Sequence, residues 1–308
     1  MAERGARVAA LLLNWRQPDL TLQCLADLLA VEDEPLAIVV IDNGSGDGSA
    51  ERLQQALRQL PASAHAVELL ALPDNQGFTG GMNRGIAWAQ QRGAEFTFVL
   101  NNDLRVPPQV VQVLAEVLAN DARVSAVGPT VLFPDGTVWA AGGALRFGPN
   151  ALRLLGHGGP PAPRDLGPQD VPFLPAACVL YRTAELVALG GFDERYFMYW
   201  EDVDLCDRLR ERGGRIVWLP WQQVTHVAGA SSGGGRSPLR KFLMANNAVR
   251  YLRAHGTAIA WAAWLCFDVL LWPLTLLLGP TAAFAKLRGT LAGLRGHRAN
   301  AADVARFL

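Results

Sequence analysis

The sequence predicts an α/β fold in which helices flank a mainly parallel central sheet. Three apolar, β-rich runs carry this prediction, at residues 8–15, 38–43 and 96–103, and each ends abruptly in polar side chains. Uninterrupted apolar runs of this length are typical of strands buried on both faces, as in parallel sheets. Because ligands of such sheets bind beyond the carboxyl ends of the strands, the terminal polar residues are the first candidates for a functional site.

The first two runs end at Asn14 and at Asp42, which should therefore lie at one edge of the sheet. Asp42 can accept a hydrogen bond from the imide N–H of uracil or thymine, or it can simply form a turn in Asp-Asn-Gly-Ser. The glycines of residues 77–85 allow the backbone to approach a nucleotide closely before a helix continues. Neither GxxxxGK[ST] nor GxGxxG occurs in the sequence, so a Walker loop and a dinucleotide cofactor have no support.

The third run ends in Asn101, Asn102 and Asp103. A carboxylate at the end of a buried strand suits Mg²⁺ or Mn²⁺, because these cations prefer oxygen ligands and keep positions open for substrate phosphates. The alternative is a polar strand end that only caps the helix start at Pro107-Pro108.

Four acidic residues fall within residues 201–207, where the pattern predicts a helix that begins at Glu201. Acidic residues favour the first turn of a helix, so a solvated face matched to the helix dipole is one interpretation. The aromatic run at residues 196–200, just before them, favours another. A partly apolar wall there would raise a carboxyl pKa and suit that group for proton abstraction.

A short apolar strand is predicted at Arg215–Pro220, and His226 then opens a glycine-rich loop. Lone histidines are commonly structural, so His226 has both a structural and a functional interpretation. The loop behind it can close over a ligand and bring Ser231, Ser232 and Arg236 towards phosphates.

Together these segments resemble family 2 glycosyltransferases of the GT-A fold, and among them the bacterial rhamnosyltransferase-like branch. The resemblance extends from about Arg7 to about Tyr251, and its motifs occur in the family's order. The matching segments are the first strand at 8–15, the second strand and its turn at 38–49, the glycine-rich segment at 75–85, the triad at 101–103, the acid pair at 201–202 and His226. The family's triad is commonly Asp-X-Asp, and here Asn101 stands at its first position.

The resemblance implies a Rossmann-like GT-A sheet that binds a sugar nucleotide, with Mg²⁺ or Mn²⁺ bridging the diphosphate to the protein. Asp103 and His226 are the implied metal ligands. The implied nucleotide-sugar-binding residues are Asn14, Asp42, Asn75, Gly77, Asn83, Asn102 and Asp103. Asp202 is the implied general base, with Glu201 supporting it or binding acceptor hydroxyls, and one direct displacement inverts the anomeric configuration.

The Asn-Asn-Asp triad and the Glu-Asp-Val-Asp-Leu motif resemble rhamnosyltransferases most closely. They imply transfer of L-rhamnose from dTDP-L-rhamnose to a hydroxyl of a saccharide or polyprenyl-linked saccharide, in the synthesis of cell-envelope polysaccharide. One alternative is a transferase that uses a UDP-sugar donor, carrying galactofuranose, glucose or N-acetylglucosamine. The other is a non-catalytic relative that keeps the fold as a binding module.

Composition predicts an enzyme of a reduced, cytoplasmic compartment. Lys+Arg and Asp+Glu balance at 28 each, which speaks against a nucleic-acid partner. The four cysteines are widely spaced and form no CxxC or zinc pattern. No signal peptide is expected before the first strand, and neither a GxSxG elbow nor a persuasive Cys-His pairing is found.

The predicted domain division follows a change in composition. Residues 1–253 form the predicted GT-A domain, with a nucleotide-sugar half at about 1–130 and an acceptor half at about 131–253. Residues 254–308 form a predicted hydrophobic helical appendage that associates with the membrane.

Within this appendage, residues 258–285 are long enough for one membrane span but are interrupted by Asp268 and Pro273. Basic residues on both sides favour neither orientation of a simple span. We therefore expect a kinked re-entrant or interfacial helix pair at the cytoplasmic face of the cell membrane, with Trp261, Trp264 and Trp272 at head-group depth. The alternatives are a buried hydrophobic helix and a homodimer interface.

Overall fold

The computed structural model describes residues 6–32, 35–146, 151–227 and 237–307 of the protein. The loop predicted to close over a ligand, with Ser231, Ser232 and Arg236, lies outside these residues. The strands are β1 (Val8–Asn14), β2 (Leu36–Asp42), β3 (Ala66–Ala71), β4 (Phe96–Asn101), β5 (Leu104–Arg105), β6 (Val124–Leu132), β7 (Val138–Ala140), β8 (Gly143–Leu145), β9 (Leu152–Leu154), β10 (Gln169–Asp170), β11 (Cys178–Arg182) and β12 (Arg215–His226). The α-helices are α1 (Pro18–Leu29), α2 (Ser49–Arg58), α3 (Gly77–Gln91), α4 (Gln109–Asn120), α5 (Thr183–Ala188), α6 (Glu201–Glu211), α7 (Pro238–His255), α8 (Ala258–Trp264), α9 (Pro280–Leu294) and α10 (Ala301–Ala305).

One mixed sheet forms the centre of the fold. Its strand order is β10-β12-β6-β11-β4-β1-β2-β3, with β5 and β7 added on β12 and β6. The pairs β1/β2, β1/β4, β2/β3 and β6/β12 are parallel, whereas β11 runs antiparallel to both β4 and β6. The predicted α/β architecture with a mainly parallel sheet is therefore confirmed.

Helices cover both faces of this sheet, which explains why its central strands are apolar throughout. Successive side chains of a strand point to opposite faces. Leu11 of β1 packs in one hydrophobic layer with Met82 of α3, while Leu12 packs in the other with Leu25 of α1. The polar residues at the strand ends are buried as well, with Asn14, Asp42 and Asp103 at most 2% exposed, and the parallel pairing of the strands gathers them at one edge.

Strand β12 is longer than the sequence predicts. The predicted strand ends at Pro220, whereas β12 continues to His226. The register between β12 and β6 shifts between Leu219 and Gln223, so the strand bulges around the proline instead of ending there. Proline has no backbone N–H to donate, and sheets accommodate it at bulges and edges. The extension carries His226 to the candidate site.

The C-terminal helices pack directly onto the GT-A region. A hydrophobic cluster joins Phe197 and Phe242 to Ala285, Ala299 and Val304. The segment between α8 and α9 is irregular, with a π-helix at Leu265–Leu270 and a 3₁₀-helix at Trp272–Leu278. Because the two regions share a cluster, the boundary after residue 253 stays a prediction.

The long α9 lies against α7 through very small residues. A Cβ atom added to Gly289 would lie 2.2 Å from the carbonyl oxygen of Phe242, and one added to Gly293 would lie 2.6 Å from that of Asn246. Among the residues that the structure describes, no helix is both long enough and apolar enough to cross a bilayer. The prediction that Trp264 lies at head-group depth is wrong, because its ring is buried with Val249 and Leu252 of α7.

We expect Gly289→Val to lower the free energy of unfolding by about 1–3 kcal/mol, because overpacking forces backbone shifts of this cost. Guanidinium denaturation of both proteins measures the difference. Gly167→Ala is the matched control, since a Cβ at Gly167 meets no atom within 4 Å. Equal midpoints for the Gly289→Val variant and the wild type would contradict the close packing of α7 and α9.

Candidate active site

The carboxyl ends of β1, β2 and β4 lie side by side. Asn14 pairs with Asp42 across β1 and β2, and Leu13 pairs with Asn101 across β1 and β4. The predicted gathering of polar strand ends at one sheet edge is therefore found. Asp103 follows β4 directly and is almost fully buried.

Asp42 is fixed in place by its neighbours. Asn14 donates to Asp42 Oδ2 over 2.7 Å, and the hydroxyl of Ser45 donates to the same oxygen over 2.6 Å. Asp42 Oδ1 accepts one bond, from the backbone N–H of Ser45. Because a carboxylate oxygen can accept two hydrogen bonds, Oδ1 keeps acceptor capacity for a ligand. Asn14 acts here as a support for Asp42.

Thr21 of α1 is a supporting residue that the sequence patterns did not reveal. Its hydroxyl donates to Asn14 Oδ1 over 2.8 Å and accepts from the side-chain amide of Asn102 over 3.0 Å. Thr21 thus holds two predicted nucleotide-sugar-binding residues in one network. A threonine in a helix is ordinary in a sequence, and only its complete burial marks it.

The segment at the start of α3 is shaped by Asn75 and Gly77. Asn75 Oδ1 accepts hydrogen bonds from the side-chain amide of Asn43 and from the backbone N–H of Gly77. Gly77 has a φ of +75°, and a Cβ atom there would lie 2.6 Å from the ring of Phe197. Only glycine fits this left-handed conformation and this close approach.

Asn83 is held by the loop that precedes the acid motif, and its nucleotide contact stays a prediction. Its amide donates to Phe192 O and Glu194 Oε1, and its oxygen accepts from the backbone N–H of Phe192. These bonds occupy both N–H groups of Asn83 and anchor the loop that precedes the acid motif. A nucleotide contact from the Asn83 amide requires these bonds to break.

The pairing of β5 with β12 brings His226 to Asp103. Leu104 lies opposite His226 in this ladder, and Val227 donates its N–H to Asp103 O over 2.8 Å. The two side chains meet with His226 Nε2 2.9 Å from Asp103 Oδ1. The ring of Trp139 lies against the imidazole, with ring centroids 4.9 Å apart.

The contact between Asp103 and His226 lacks hydrogen-bond geometry. Both carboxylate oxygens and both ring nitrogens are buried and have no hydrogen-bond partner in the described part of the chain. Buried polar atoms are nearly always paired, so four orphans in one place require an explanation. A divalent cation supplies one, because carboxylate oxygen and imidazole nitrogen both coordinate such ions.

These two side chains therefore fit a shared metal ion but do not complete its coordination. The described residues contain no group of three or more His, Cys, Asp or Glu side chains that can hold a metal. Mg²⁺ is commonly bound through one or two carboxylates, with water and substrate phosphates filling the other positions. The donor set at Asp103 and His226 matches that kind of open site.

The acid motif begins α6, as predicted, and follows a strained loop. Phe197, Tyr199 and Trp200 have φ values of +62°, +72° and +75°. Positive φ is costly for aromatic residues and persists where the surroundings enforce it. Asn247 of α7 provides that enforcement, since its buried amide donates to the carbonyls of Tyr196, Met198 and Tyr199.

The two carboxyl groups at the start of α6 differ in their surroundings. Asp202 accepts hydrogen bonds from the backbone N–H groups of Val203 and Ala176, at 2.9 Å and 3.4 Å. Burial nevertheless raises the pKa of Asp202 to about 6. Burial, and then the charge of Asp202, raise the pKa of Glu201 well above its ordinary value. The backbone hydrogen bonds favour the ionised form of Asp202, whereas the charge of Asp202 opposes ionisation of Glu201, so Glu201 is the carboxyl group that is more readily protonated.

A short backbone segment ties Asp202 to the metal-fitting pair. Ala176 donates its N–H to Asp202, and the next residue, Ala177, accepts from the N–H of Asn101 over 2.8 Å. Asn101 is the last residue of β4, two positions before Asp103. The acid motif and the Asp103–His226 pair are therefore joined through consecutive residues at one sheet edge.

A further buried network holds α6 rigid. Asp204 accepts from Arg208 over 2.8 Å and lies 2.9 Å from His255 Nε2 at the end of α7. The hydrogen bond with Asp204 is the main cause that raises the pKa of His255 above its ordinary value. These charged pairs connect the acid helix to α7, which also carries Asn247.

Solved structures share the fold. GalNAc-T7 in complex with UDP, GalNAc and Mn²⁺ matches with a TM-score of 0.63 at 15% identity, over 82% of this chain and 48% of that one. This chain thus spans about half of the length of that protein. The mannosyltransferase PcManGT from Pyrobaculum calidifontis, in complex with GDP-Man and Mn²⁺, matches with a TM-score of 0.56 at 17% identity, over 99% of this chain and 79% of that one. At such identity these likenesses speak for the fold alone, and they confirm the predicted GT-A fold.

Sequence comparisons give the family. A profile described as Glycosyl transferase family 2 matches residues 14–185. The N-acetylglucosaminyl-diphospho-decaprenol L-rhamnosyltransferase of Mycobacterium tuberculosis is 32% identical over 231 residues, which cover 68% of this chain and 72% of that enzyme. The polar edge of the sheet, the metal-fitting pair and the acid motif occur in the family's order. The profile and the relative show that the chain belongs to glycosyltransferase family 2 and is rhamnosyltransferase-like.

Proposed function

We propose that the protein is an inverting, divalent-metal-dependent glycosyltransferase that moves L-rhamnose from dTDP-L-rhamnose to a hydroxyl of a lipid-linked saccharide. The observation that carries this proposal is the connection between two unlike sites at one sheet edge. Asp103 and His226 form a buried pair with unpaired metal-binding atoms, and Asp202 is a carboxyl with a raised pKa. A transferase needs one site for the leaving diphosphate and another for the attacking hydroxyl.

On the donor side, Asp42 accepts the imide N–H of the pyrimidine base through its Oδ1 atom, which carries one hydrogen bond in the structure. Asp103 and His226 are the residues that would hold Mg²⁺ or Mn²⁺. When bound, the cation neutralises the negative charge that develops on the leaving diphosphate. Gly77 lets the backbone approach the nucleotide. The side chains of Asn14, Asn75 and Asn102 stabilise this edge of the sheet through hydrogen bonds.

On the acceptor side, Asp202 accepts the proton of the attacking hydroxyl. Its raised pKa makes it a better base than an ordinary aspartate, while it remains ionised above about pH 6. Burial and the charge of Asp202 raise the pKa of Glu201 and favour its protonated form, which can donate a hydrogen bond to an acceptor oxygen. One direct displacement at the anomeric carbon inverts its configuration and needs no protein nucleophile.

The choice of L-rhamnose and of a lipid-linked acceptor is supported by the mycobacterial relative, whose name gives an L-rhamnosyltransferase acting on N-acetylglucosaminyl-diphospho-decaprenol. A role in cell-envelope polysaccharide synthesis at the cytoplasmic face of the membrane follows from such an acceptor. A UDP-sugar is the alternative donor, because Asp42 recognises a feature that uracil and thymine share. Assembly as a homodimer stays a prediction.

Donor screening tests the proposal. The purified full-length protein is incubated with a polyprenyl-diphosphate N-acetylglucosamine acceptor and either dTDP-L-rhamnose or UDP-sugars, with Mn²⁺, with Mg²⁺ or with EDTA. We expect transfer from dTDP-L-rhamnose that EDTA abolishes, with the product inverted at the anomeric carbon. Transfer from UDP-sugars alone would overturn the donor assignment. Absence of nucleotide binding with either metal would favour a non-catalytic binding module.

The pH profile gives a second test of the base. Because only the ionised form of Asp202 accepts a proton, we expect kcat/KM to rise with pH through about 6 and to fall tenfold per unit below it. Initial rates measured at low acceptor concentration across pH 4–9 give the acid side of this pH profile. An acid limb near the ordinary aspartate pKa of about 3.9 would show that the base is not a buried Asp202.

A further inference from the structure

In helix α9 the buried face carries small residues and the exposed face carries large apolar ones, the reverse of a typical helix of a soluble protein. Its buried positions are held by small residues, including Ala285, Gly289 and Gly293, which pack against α7. Its large apolar residues, Phe284 and Leu291, are exposed instead. A soluble helix normally buries its large apolar side chains and turns polar ones outwards. The pattern of α9 therefore predicts an apolar surrounding on its outer side.

The segment before α9 also exposes large apolar side chains. Leu277 is 85% exposed, Ile259 is 82% exposed and Leu274 is 58% exposed, and Leu270 is exposed as well. We call the exposed side chains of Ile259, Leu270, Leu274, Leu277, Phe284 and Leu291 the apolar surface. Large exposed apolar areas on soluble proteins mark interaction sites, and six such side chains within one short stretch of the chain predict one here.

The charges within this region are arranged to leave the apolar surface neutral. Asp268 is the single charged residue between residues 258 and 285. Its carboxylate lies 2.6 Å from Lys286 Nζ, and both side chains are largely covered. A paired charge costs far less in a low-dielectric surrounding than an isolated one. The ion pair thus removes the obstacle to placing this segment in hydrocarbon.

Arginines border the apolar surface on α9 itself. Arg288 and Arg295 lie on the same helix face as Phe284 and Leu291, at spacings of three and four residues, and all four are exposed. Neither arginine has an ion-pair partner among the residues that the structure describes. Guanidinium groups bind phosphate oxygens well, and basic residues near apolar anchors favour anionic lipid surfaces.

We propose that the apolar surface inserts into one leaflet of an anionic phospholipid bilayer, with Arg288 and Arg295 contacting lipid phosphates. α9 would lie in the plane of the interface, with its small residues on α7 and its large ones in the acyl region. This inference rests on the proposed function, because a lipid-linked acceptor is the reason for the enzyme to bind a membrane. Binding to vesicles can nevertheless be measured without sugar transfer.

A second copy of the chain is a poorer occupant. In a twofold-symmetric dimer the same patch meets itself, so Arg288 and Arg295 would approach their own counterparts. Helix α9 contains no acidic residue to offset them, and the one acid of the preceding segment is already paired with Lys286. Lipid phosphates supply the missing negative charge.

Vesicle co-sedimentation of the full-length protein tests the proposal. Vesicles of phosphatidylcholine alone are compared with vesicles that also contain phosphatidylglycerol. We expect the wild type to bind the anionic vesicles more tightly. Leu274→Glu/Leu277→Glu should abolish binding to both kinds. Arg288→Gln/Arg295→Gln should weaken binding to the anionic vesicles by about fivefold per arginine and leave binding to phosphatidylcholine unchanged.

Leu166→Glu is the matched control, because Leu166 is an exposed leucine far along the chain from the apolar surface. Thermal melts and dTDP binding of every variant check that the fold and the donor site are intact. Wild-type-like vesicle binding of the Leu274→Glu/Leu277→Glu variant would overturn the proposal. So would a stable dimer in solution that the same double substitution dissociates. A failed donor screen with intact vesicle binding would count against the proposed transfer reaction only.

Discussion

Replacing Asp202 by Asn is expected to lower kcat by about 10²–10⁴-fold, the usual contribution of general-base catalysis. The amide keeps the shape of the side chain but cannot accept the proton of the attacking hydroxyl. Within the described part of the chain, the Asp202 side chain accepts hydrogen bonds from the backbone N–H groups of Val203 and Ala176 and makes none with Asp42, Asp103 or His226, so the affinity for the donor should stay within a few-fold of the wild type. Single-turnover rates with saturating donor and acceptor, together with titration of dTDP, separate the two effects.

Glu201→Gln is the sharpest comparison for this experiment. Because burial and the charge of Asp202 raise the pKa of Glu201 and so favour its protonated form, a glutamine imitates that form. We expect Glu201→Gln to lose less than about tenfold in kcat, well below the loss at Asp202. If Asp202→Asn kept most of its activity while Glu201→Gln lost it, the roles of the two carboxyl groups would have to be exchanged.

The polar edge of the sheet was predictable because its central strands are buried on both faces. β1, β2 and β4 are covered by helices on both faces, so their apolar runs stand out in the sequence and their polar ends are equally visible. Parallel pairing then leaves no freedom in where Asn14, Asp42 and Asp103 gather. The start of α6 at Glu201 was predictable for a similar reason, since its acids and apolar residues alternate at helical spacing.

The residues that support the site were not predictable from local patterns. Asn247 follows the loop it holds by about fifty positions in sequence, and its contacts with the carbonyls of Tyr196, Met198 and Tyr199 arise only when α7 packs beside that loop. Thr21 likewise joins Asn14 to Asn102 across two elements. A side chain that acts through contacts so distant in the sequence produces no recognisable spacing or periodicity in the sequence.

The C-terminal region shows what hydrophobicity alone leaves open. The sequence of residues 258–285 predicts an apolar environment but does not say which side chains meet protein. The size of the side chain decides the question in the structure, because a Cβ atom at Gly289 or Gly293 would collide with the backbone of α7. The tryptophans illustrate the same point, since Trp264 became part of the protein interior.

Replacing Asp103 by Ala is expected to weaken metal-dependent binding of dTDP by more than about 100-fold, because even supporting contacts around a metal are worth 10–100-fold. Calorimetric titration of Mn²⁺ and dTDP, together and separately, measures this loss without any need for turnover. His226→Asn should act in the same direction. Asp135→Ala, which removes an exposed carboxylate from the turn between β6 and β7, is the matched control and should bind like the wild type.

Stability of the metal-free variant separates a ligand from a structural residue. In the structure the Asp103 carboxyl group is buried with no hydrogen-bond partner among the described residues, and a buried polar group without a hydrogen bond destabilises the fold. Asp103→Ala should therefore leave the melting temperature in EDTA unchanged or raised, whereas Mn²⁺ and dTDP together should stabilise only the wild type. If Asp103 merely capped the start of α4, the variant would instead melt lower in EDTA and keep its response to Mn²⁺ and dTDP. The expected result would show that Asp103 does not stabilise the metal-free fold and contributes to stability only when cation and nucleotide are bound. Asp103 would then be a ligand-binding residue and not a structural one.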